Sequence, residues 1–382
     1  MQTSSKTTIL PILFGFFVMG FVDVVGIATN HVKADFNLSD SLTNLIPMMV
    51  FLWFAIFSIP VGILMGKTGR RNTVAIALFI TTVAMLIPLF LYNFIFVLIT
   101  FALLGIGNTI LQVSLNPMVA NIVSHDKMTS VLTLGQFIKA ISSFLGPIIA
   151  GIAASFWGDW KLIFMIYLIT SLLSAIWLLI TVPGKEKLEK NKVTFATTLS
   201  LFKDKLIVWL FLGILFIVGI DVGLNTSIPK LLMDKTNMSL NEAGLGTSLY
   251  FAARTIGTFI GAIILAKFTV YRFFKISMGI AIASFITLLI FPIPWVMFTM
   301  IVIVGLACSN VFPIIFSYAL QYKRERTNEI SALMIMGVSG GSLITPFMGI
   351  VSDGFGQVAG LSILLICIIY LMILSFIINR NQ

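Results

Sequence analysis

Apolar residues run along this chain in stretches of about twenty or more, broken by short polar segments. Twelve such stretches can be placed, at 9–31, 42–65, 73–92, 95–121, 130–153, 161–182, 206–229, 243–266, 273–291, 295–319, 329–352 and 358–378. Each is long enough, as a helix, to cross a hydrocarbon core of roughly 30 Å. The pattern predicts an all-α polytopic membrane protein of twelve transmembrane helices. The first stretch has no basic leader and no small-residue cleavage site, so it reads as a retained helix.

Composition agrees. The 382 residues are 59% hydrophobic and 10% charged, with a mean hydropathy of +1.08. A soluble chain would carry about 25% charged residues. The two cysteines, Cys308 and Cys367, both fall inside stretches, so no disulfide framework is expected.

Charge sets the orientation. With the N-terminus inside, eighteen Lys and Arg residues fall in cytoplasmic segments. Only Lys33, Lys161, Lys230 and Lys235 fall outside. That asymmetry places both termini in the cytoplasm and accounts for the net charge of +10 without nucleic-acid binding.

The chain also repeats itself at an offset of about 200 residues. GFVDVVGIATNHVK (20–33) pairs with GIDVGLNTSIPK (219–230), which sets Asp23 on Asp221. GILMGKTGRR (62–71) pairs with GAIILAKFTVYR (261–272), and the stretch from Gly105 with that from Gly305. The organisation expected is an N-terminal six-helix half at 1–183, a basic cytoplasmic linker at 184–205 and a C-terminal six-helix half at 206–382. Two parallel six-helix halves are the major-facilitator arrangement, with a substrate site near the midplane and transport by rocking.

Four ionisable residues lie well inside stretches: Asp23, Lys139, Asp221 and Arg254. Each would cost about 2.5–3.5 kcal/mol in lipid, so they must face a wet cavity or pair with one another. Polar residues recur beside them at helical spacing: Gln112 and Asn116, Gln136 and Lys139, Asp221 and Asn225, Tyr250 and Arg254. Asn310 adds an amide on the tenth stretch. Such a lining offers the donors and acceptors that a sugar needs. The plainer reading is a set of static interhelical hydrogen bonds and ion pairs.

GILMGKTGRR resembles the loop signature of the major facilitator superfamily, with Gly66 where that signature has an acid. It is no phosphate loop, because the glycine required ahead of Gly66 is Val61. LQVSLNPMVANI (111–122), TLGQFIKAISSFLGPIIAG (133–151), GLACSNVFPIIFSYAL (305–320) and SALMIMGVSGGSLITPFMGIVSD (331–353) resemble the L-fucose:proton symporter family of that superfamily. The resemblance implies import of a neutral sugar such as fucose, glucose or galactose with protons. It implies a proton and sugar role for Asp23, a sugar ligand in Gln136, and equivalence of Asn116-Pro117 with the family's fourth-helix Asn-Pro. It sets Asp221 where many members carry Glu. Two positions depart: Gln112 stands for a proton-carrying Glu, and Lys139 for an Asn. Gln112 cannot titrate, so coupling falls to Asp23 or Asp221. Lys139 would then hold Asp23 ionised or bind a substrate carboxylate.

The site residues expected are therefore Asp23 and Asp221 for protons, and Gln112, Asn116, Gln136, Lys139, Asn225, Arg254 and Asn310 for substrate. No metal or cofactor is called for, and no nucleophile–base set points to an enzyme. The partners expected are a sugar, protons and the bilayer, with the chain working as a monomer in a bacterial inner membrane. Import of an anionic sugar through Lys139 and Arg254, and proton-driven export, remain as alternatives. A sensor of the same fold would carry a long cytoplasmic extension.

Overall fold

The computed structural model describes residues 5–38, 42, 45–183, 193–238 and 240–380. Residues 184–192, most of the expected linker, therefore lie outside the described residues. Among those described, twelve helical stretches are long and apolar enough to cross a membrane, from Thr8–Thr29 to Gln357–Ile378. They match the expected twelve to within a few residues, with one larger difference. The seventh runs as Lys205–Thr236, ending at Asn237 in the left-handed conformation. The extra turns carry Lys230, Asp234 and Lys235, and the Lys235 ammonium binds the Leu289 carbonyl at the end of the ninth span. Polar residues beyond the apolar run thus continue the helix.

Three spans are interrupted. The first is an α-helix over Ser5–Met19, a 3-10 turn over Gly20–Val24 and an α-helix over Val25–Phe36. The tenth breaks at Ser309 and Asn310, between Pro294–Cys308 and Val311–Tyr322. Pro313 has no N–H for the Ser309 carbonyl and its ring crowds that oxygen, which explains the break. The eleventh passes through a 3-10 turn at Gly337–Ser339.

Contacts gather the chain into two compact units. One comprises Met1–His125, Gly135–Leu201 and Tyr322–Met336; the other comprises Asp126–Leu134, Phe202–Gln321 and Gly337–Gln382. In the first unit, span two packs on four, three on four, three on six and one on six. In the second unit, eight packs on ten, nine on ten, nine on twelve and seven on twelve. The internal packing of the two units repeats, six spans apart. Detail repeats too. A Cβ on Gly105 would lie 2.5 Å from the Val50 carbonyl oxygen, and one on Gly305 would lie 2.8 Å from the Tyr250 carbonyl oxygen. Both glycines let two helix backbones touch. Gly105→Ala should therefore cost about 1–3 kcal/mol, read as a lower unfolding temperature in detergent. Gly26→Ala, with nothing within 4 Å of its Cβ, should cost nothing.

Within the first unit, the helix Thr327–Met336 packs on spans two and four. Pro117 cannot donate to the Val113 carbonyl one turn back, and the Ser331 hydroxyl supplies that bond at 2.6 Å. Buried Arg70 donates through Nε to Asn328 Oδ1 at 2.9 Å. Gly66, where the loop signature has an acid, sits against Val193. At the far end of this unit, Asp35 accepts hydrogen bonds from Tyr92 and from Trp160 Nε1, and His31 stacks on Trp160. Burial and the Asp35 carboxylate push the Tyr92 hydroxyl far up from its usual value. These contacts tie the end of the first span to neighbouring loops.

Candidate functional site

The polar residues expected in the membrane form two clusters, one in each unit. The first is built around the interrupted turn of span one. Residues three apart eclipse in a 3-10 turn, so Gly20 and Asp23 share a face. That face meets span five: a Cβ on Gly20 would lie 2.5 Å from the Lys139 carbonyl oxygen and 2.6 Å from Ser142 Cβ. Asp23 is exposed, whereas Phe21, Val22 and Val24 are buried. Its carboxylate accepts a hydrogen bond from the Ser143 hydroxyl. Lys139, one turn before Ser143, is half-buried, and among the described residues its side chain makes no ion pair. Asp23 thus has a hydroxyl as partner, and the pairing with Lys139 that was one of the two roles expected for that residue is not made among the described residues.

Gln136, also half-buried, makes no side-chain hydrogen bond among the described residues. The polar residues of the fourth span are engaged by protein groups. Asn108 donates to the Met19 carbonyl at 2.6 Å, Gln112 to Asn108 Oδ1 at 2.8 Å, and Asn116 to the Gln112 carbonyl at 2.7 Å. Gln112 and Asn116 are buried, at 7% and 2% exposed. Asn108 pins the residue just before the Gly20–Val24 turn, so this chain holds the turn that carries Asp23. Tyr167 completes the surroundings: its ring lies on Phe21 with centroids 3.7 Å apart. Its hydroxyl is close enough to interact electrostatically with Asp23.

The second cluster lies on spans seven, eight and ten. Asp221 Oδ2 pairs with Arg254 Nη1 at 2.6 Å, and Asp221 Oδ1 accepts from the Tyr250 hydroxyl at 2.7 Å. Tyr250 is fully buried, and buried Cys308 lies close by. A carboxylate with both oxygens engaged, one by a guanidinium, is a fixed charge that holds two helices together. Asn310 is buried, with its amide nitrogen donating to the Gly257 carbonyl at 2.9 Å and to Ser309 at 2.7 Å. It fits against Gly257 and Gly261 of span eight, where only glycine leaves room. Asn225 is exposed one turn past Asp221.

The structure therefore brings Asp23 beside span five, and Asp221 to Tyr250 and Arg254. It leaves the side chains of Lys139 and Gln136 available and turns those of Gln112, Asn116 and Asn310 to protein partners. Ser143, Asn108 and Tyr167 carry this geometry without having been singled out in the sequence. Ser143 was within reach of the argument, since it lies four residues past Lys139 on the same face. Among the described residues no group of His, Cys, Asp or Glu is arranged to hold a metal.

Known proteins agree with this architecture. The E. coli fucose:proton symporter FucP superposes with a TM-score of 0.83 at 19% identity, covering 98% of this chain and 99% of that one. A bacterial homologue of the iron transporter ferroportin superposes at 0.78 with 15% identity. The fold alone follows from these, since two different cargoes share it. By sequence, the chain is 28% identical to a putative glucose/galactose transporter of Helicobacter pylori, over 92% of this chain and 91% of the relative. It is 24% identical to a glucose/galactose transporter of Brucella abortus, over 96% and 92%. The sequence matches the Major Facilitator Superfamily profile over residues 12–346 and again over 210–382. The chain is an integral membrane protein that belongs to the Major Facilitator Superfamily.

Proposed function

We propose that this protein imports a neutral hexose or deoxyhexose together with a proton, by alternating access, as a monomer in a bacterial cytoplasmic membrane with both termini inside. It has no enzymatic step. The observation that carries the reading is the first cluster, a carboxylate in the interrupted turn of span one hydrogen-bonded to Ser143 of span five, the helix that also carries Gln136. The near-full-length relatives named for glucose and galactose support the cargo, and the skew of Lys and Arg supports the orientation.

In this reading Asp23 is the proton site. Its charge is costly inside the membrane while the pathway is closed, and binding a proton removes that cost. Sugar hydroxyls bind Gln136 and Lys139, with Gln112 and Asn116 serving as scaffold through their bonds within span four. Asp221, held by Arg254 and Tyr250, stays charged throughout and acts as an anchor. Asn225, exposed one turn past Asp221, is a further sugar ligand in this reading, and Asn310 fixes the break in span ten.

The test is uptake by purified protein in proteoliposomes, with labelled D-glucose, D-galactose, L-fucose and D-glucuronate. At least one neutral sugar should accumulate above equilibrium under an inward proton gradient, and the gain should vanish with a protonophore. Accumulation of glucuronate alone, lost in Lys139→Gln, would overturn the neutral-sugar assignment. Gln136→Ala should raise the half-saturation concentration about tenfold, because the sugar hydroxyls it leaves have no partner in a closed site.

A further inference from the structure

We infer that Ser143 is a positioning residue for Asp23, a hydroxyl that keeps the carboxyl group in one place whether or not it carries a proton. The inference rests on Asp23 being the proton site. It goes beyond that reading by assigning the group that holds Asp23 during the cycle.

The geometry is that of a two-way switch. The Ser143 oxygen lies within hydrogen-bond reach of two acceptors, Asp23 Oδ2 and its own helix's Lys139 carbonyl, the latter at 3.0 Å. A hydroxyl has one hydrogen to give and two lone pairs with which to accept. With Asp23 ionised, that hydrogen goes to the carboxylate. When Asp23 takes a proton from water, the new carboxyl O–H donates to Ser143 Oγ. The Ser143 hydrogen then turns to the Lys139 carbonyl. No bond to Ser143 breaks, and the only atom transferred is the proton that arrives from water. Both states are fully bonded, so Asp23 has no reason to swing away when its charge is lost.

The surroundings are built for this contact. Gly20, eclipsed with Asp23, has no side chain and so lets the turn lie on the backbone of residues 139–142. Asn108 holds the Met19 carbonyl that precedes the turn. Among the charged or titratable groups of neighbouring spans, Lys139 lies one turn before Ser143 on span five, and Tyr167 on span six interacts electrostatically with Asp23. Asn108 and Gln112 on span four are neutral. Lys139 and Tyr167 remain in place when Ser143 is changed, so a shift on changing Ser143 belongs to the hydroxyl.

The sign follows from which form the donor favours. A hydrogen bond given to a charged acceptor is worth more than one given to a neutral acceptor. Removing the donor therefore lets Asp23 keep its proton to higher pH. Protonation can be read without any sugar, from labelling of Asp23 by dicyclohexylcarbodiimide, whose nitrogen takes the carboxyl proton while the carboxyl oxygen adds to its central carbon, quantified by mass spectrometry across a pH series. The full-length protein in nanodiscs serves for wild type, Ser143→Ala and Ser143→Thr. Labelling should fall as pH rises, with the midpoint in Ser143→Ala moved up by about one pH unit. Ser143→Thr should return it to the wild-type position. Should Ser143→Ala fail to fold, Ser143→Cys, a weaker donor, should shift the midpoint the same way by less. A midpoint that stays put, moves down, or is not restored by Thr overturns the inference. Failure of the underlying reading looks different: galactose binding that keeps its pH dependence in Asp23→Asn would remove Asp23 as the proton site and leave the labelling result standing by itself.

Discussion

Asp23→Asn should abolish accumulation of sugar against its gradient while leaving sugar–sugar counterflow largely intact. Asparagine keeps the size of the side chain and can still bond with the Ser143 hydroxyl, but it cannot exchange a proton. The substituted protein resembles the proton-loaded form at all times. It can bind sugar and reorient with it, which is what counterflow needs. It cannot release a proton inside and return empty as the coupled cycle requires. Accumulation should therefore fall to the equilibrium level, and the response to an imposed pH gradient should disappear. Measuring both in the same vesicles separates coupling from binding. Loss of counterflow together with accumulation would instead make Asp23 a structural residue.

The second large effect concerns stability. Asp221→Asn strips Arg254 of its carboxylate partner and leaves a guanidinium at 21% exposure facing a neutral amide. Breaking an ion pair held out of water from one side typically costs about 3–5 kcal/mol, because the surviving charge is left uncompensated. Asp221→Asn and Arg254→Gln should each lower the unfolding temperature in detergent sharply. The double replacement Asp221→Leu with Arg254→Met should recover much of the loss, since two matched apolar groups carry no stranded charge. Tyr250→Phe should cost less than either single change, about 1–3 kcal/mol, because it removes one hydrogen bond and leaves the ion pair. Losses that simply add in the double variant, with no recovery, would show that the pair is not a unit.

These clusters differ in how far the sequence revealed them. The spans were legible because length and apolarity are sufficient evidence for a membrane helix. The repeat was legible too, and the match of Gly105 on Val50 with Gly305 on Tyr250 shows why: close backbone contacts demand glycine at equivalent points of both units. The four intramembrane charges were legible because lipid makes them expensive, and two of them, Asp221 and Arg254, do pair.

Partner choice was not legible in general. Helical spacing says which residues share a face but nothing about which residue of another helix that face meets. Lys139 and Ser143 lie four residues apart on one face of span five, and spacing alone does not choose between them as the partner of Asp23. The hydroxyl engages it because Gly20 lets the turn settle directly on the span-five backbone. The amides of Gln112 and Asn116 looked like free sugar ligands. Asn116 turns its amide onto the Gln112 carbonyl of its own helix, and Gln112 binds Asn108. The seventh span outran its apolar stretch because polar residues are good helix formers once outside the hydrocarbon. The break in span ten was readable from Pro313. The 3-10 turn at Gly20–Val24 was not, since glycine alone permits a tighter turn without requiring one.

The central claim is that sugar and proton cross together through Asp23. The most direct measurement is the pH of a lightly buffered medium outside sealed vesicles holding the purified protein, with no imposed gradient, when D-glucose or D-galactose is added. The account predicts prompt alkalinisation outside with wild type, abolished by a protonophore and absent in Asp23→Asn. Sugar entry at the same rate with no change in external pH would contradict it, and would make Asp23 and Ser143 a fixed pair within an uncoupled carrier.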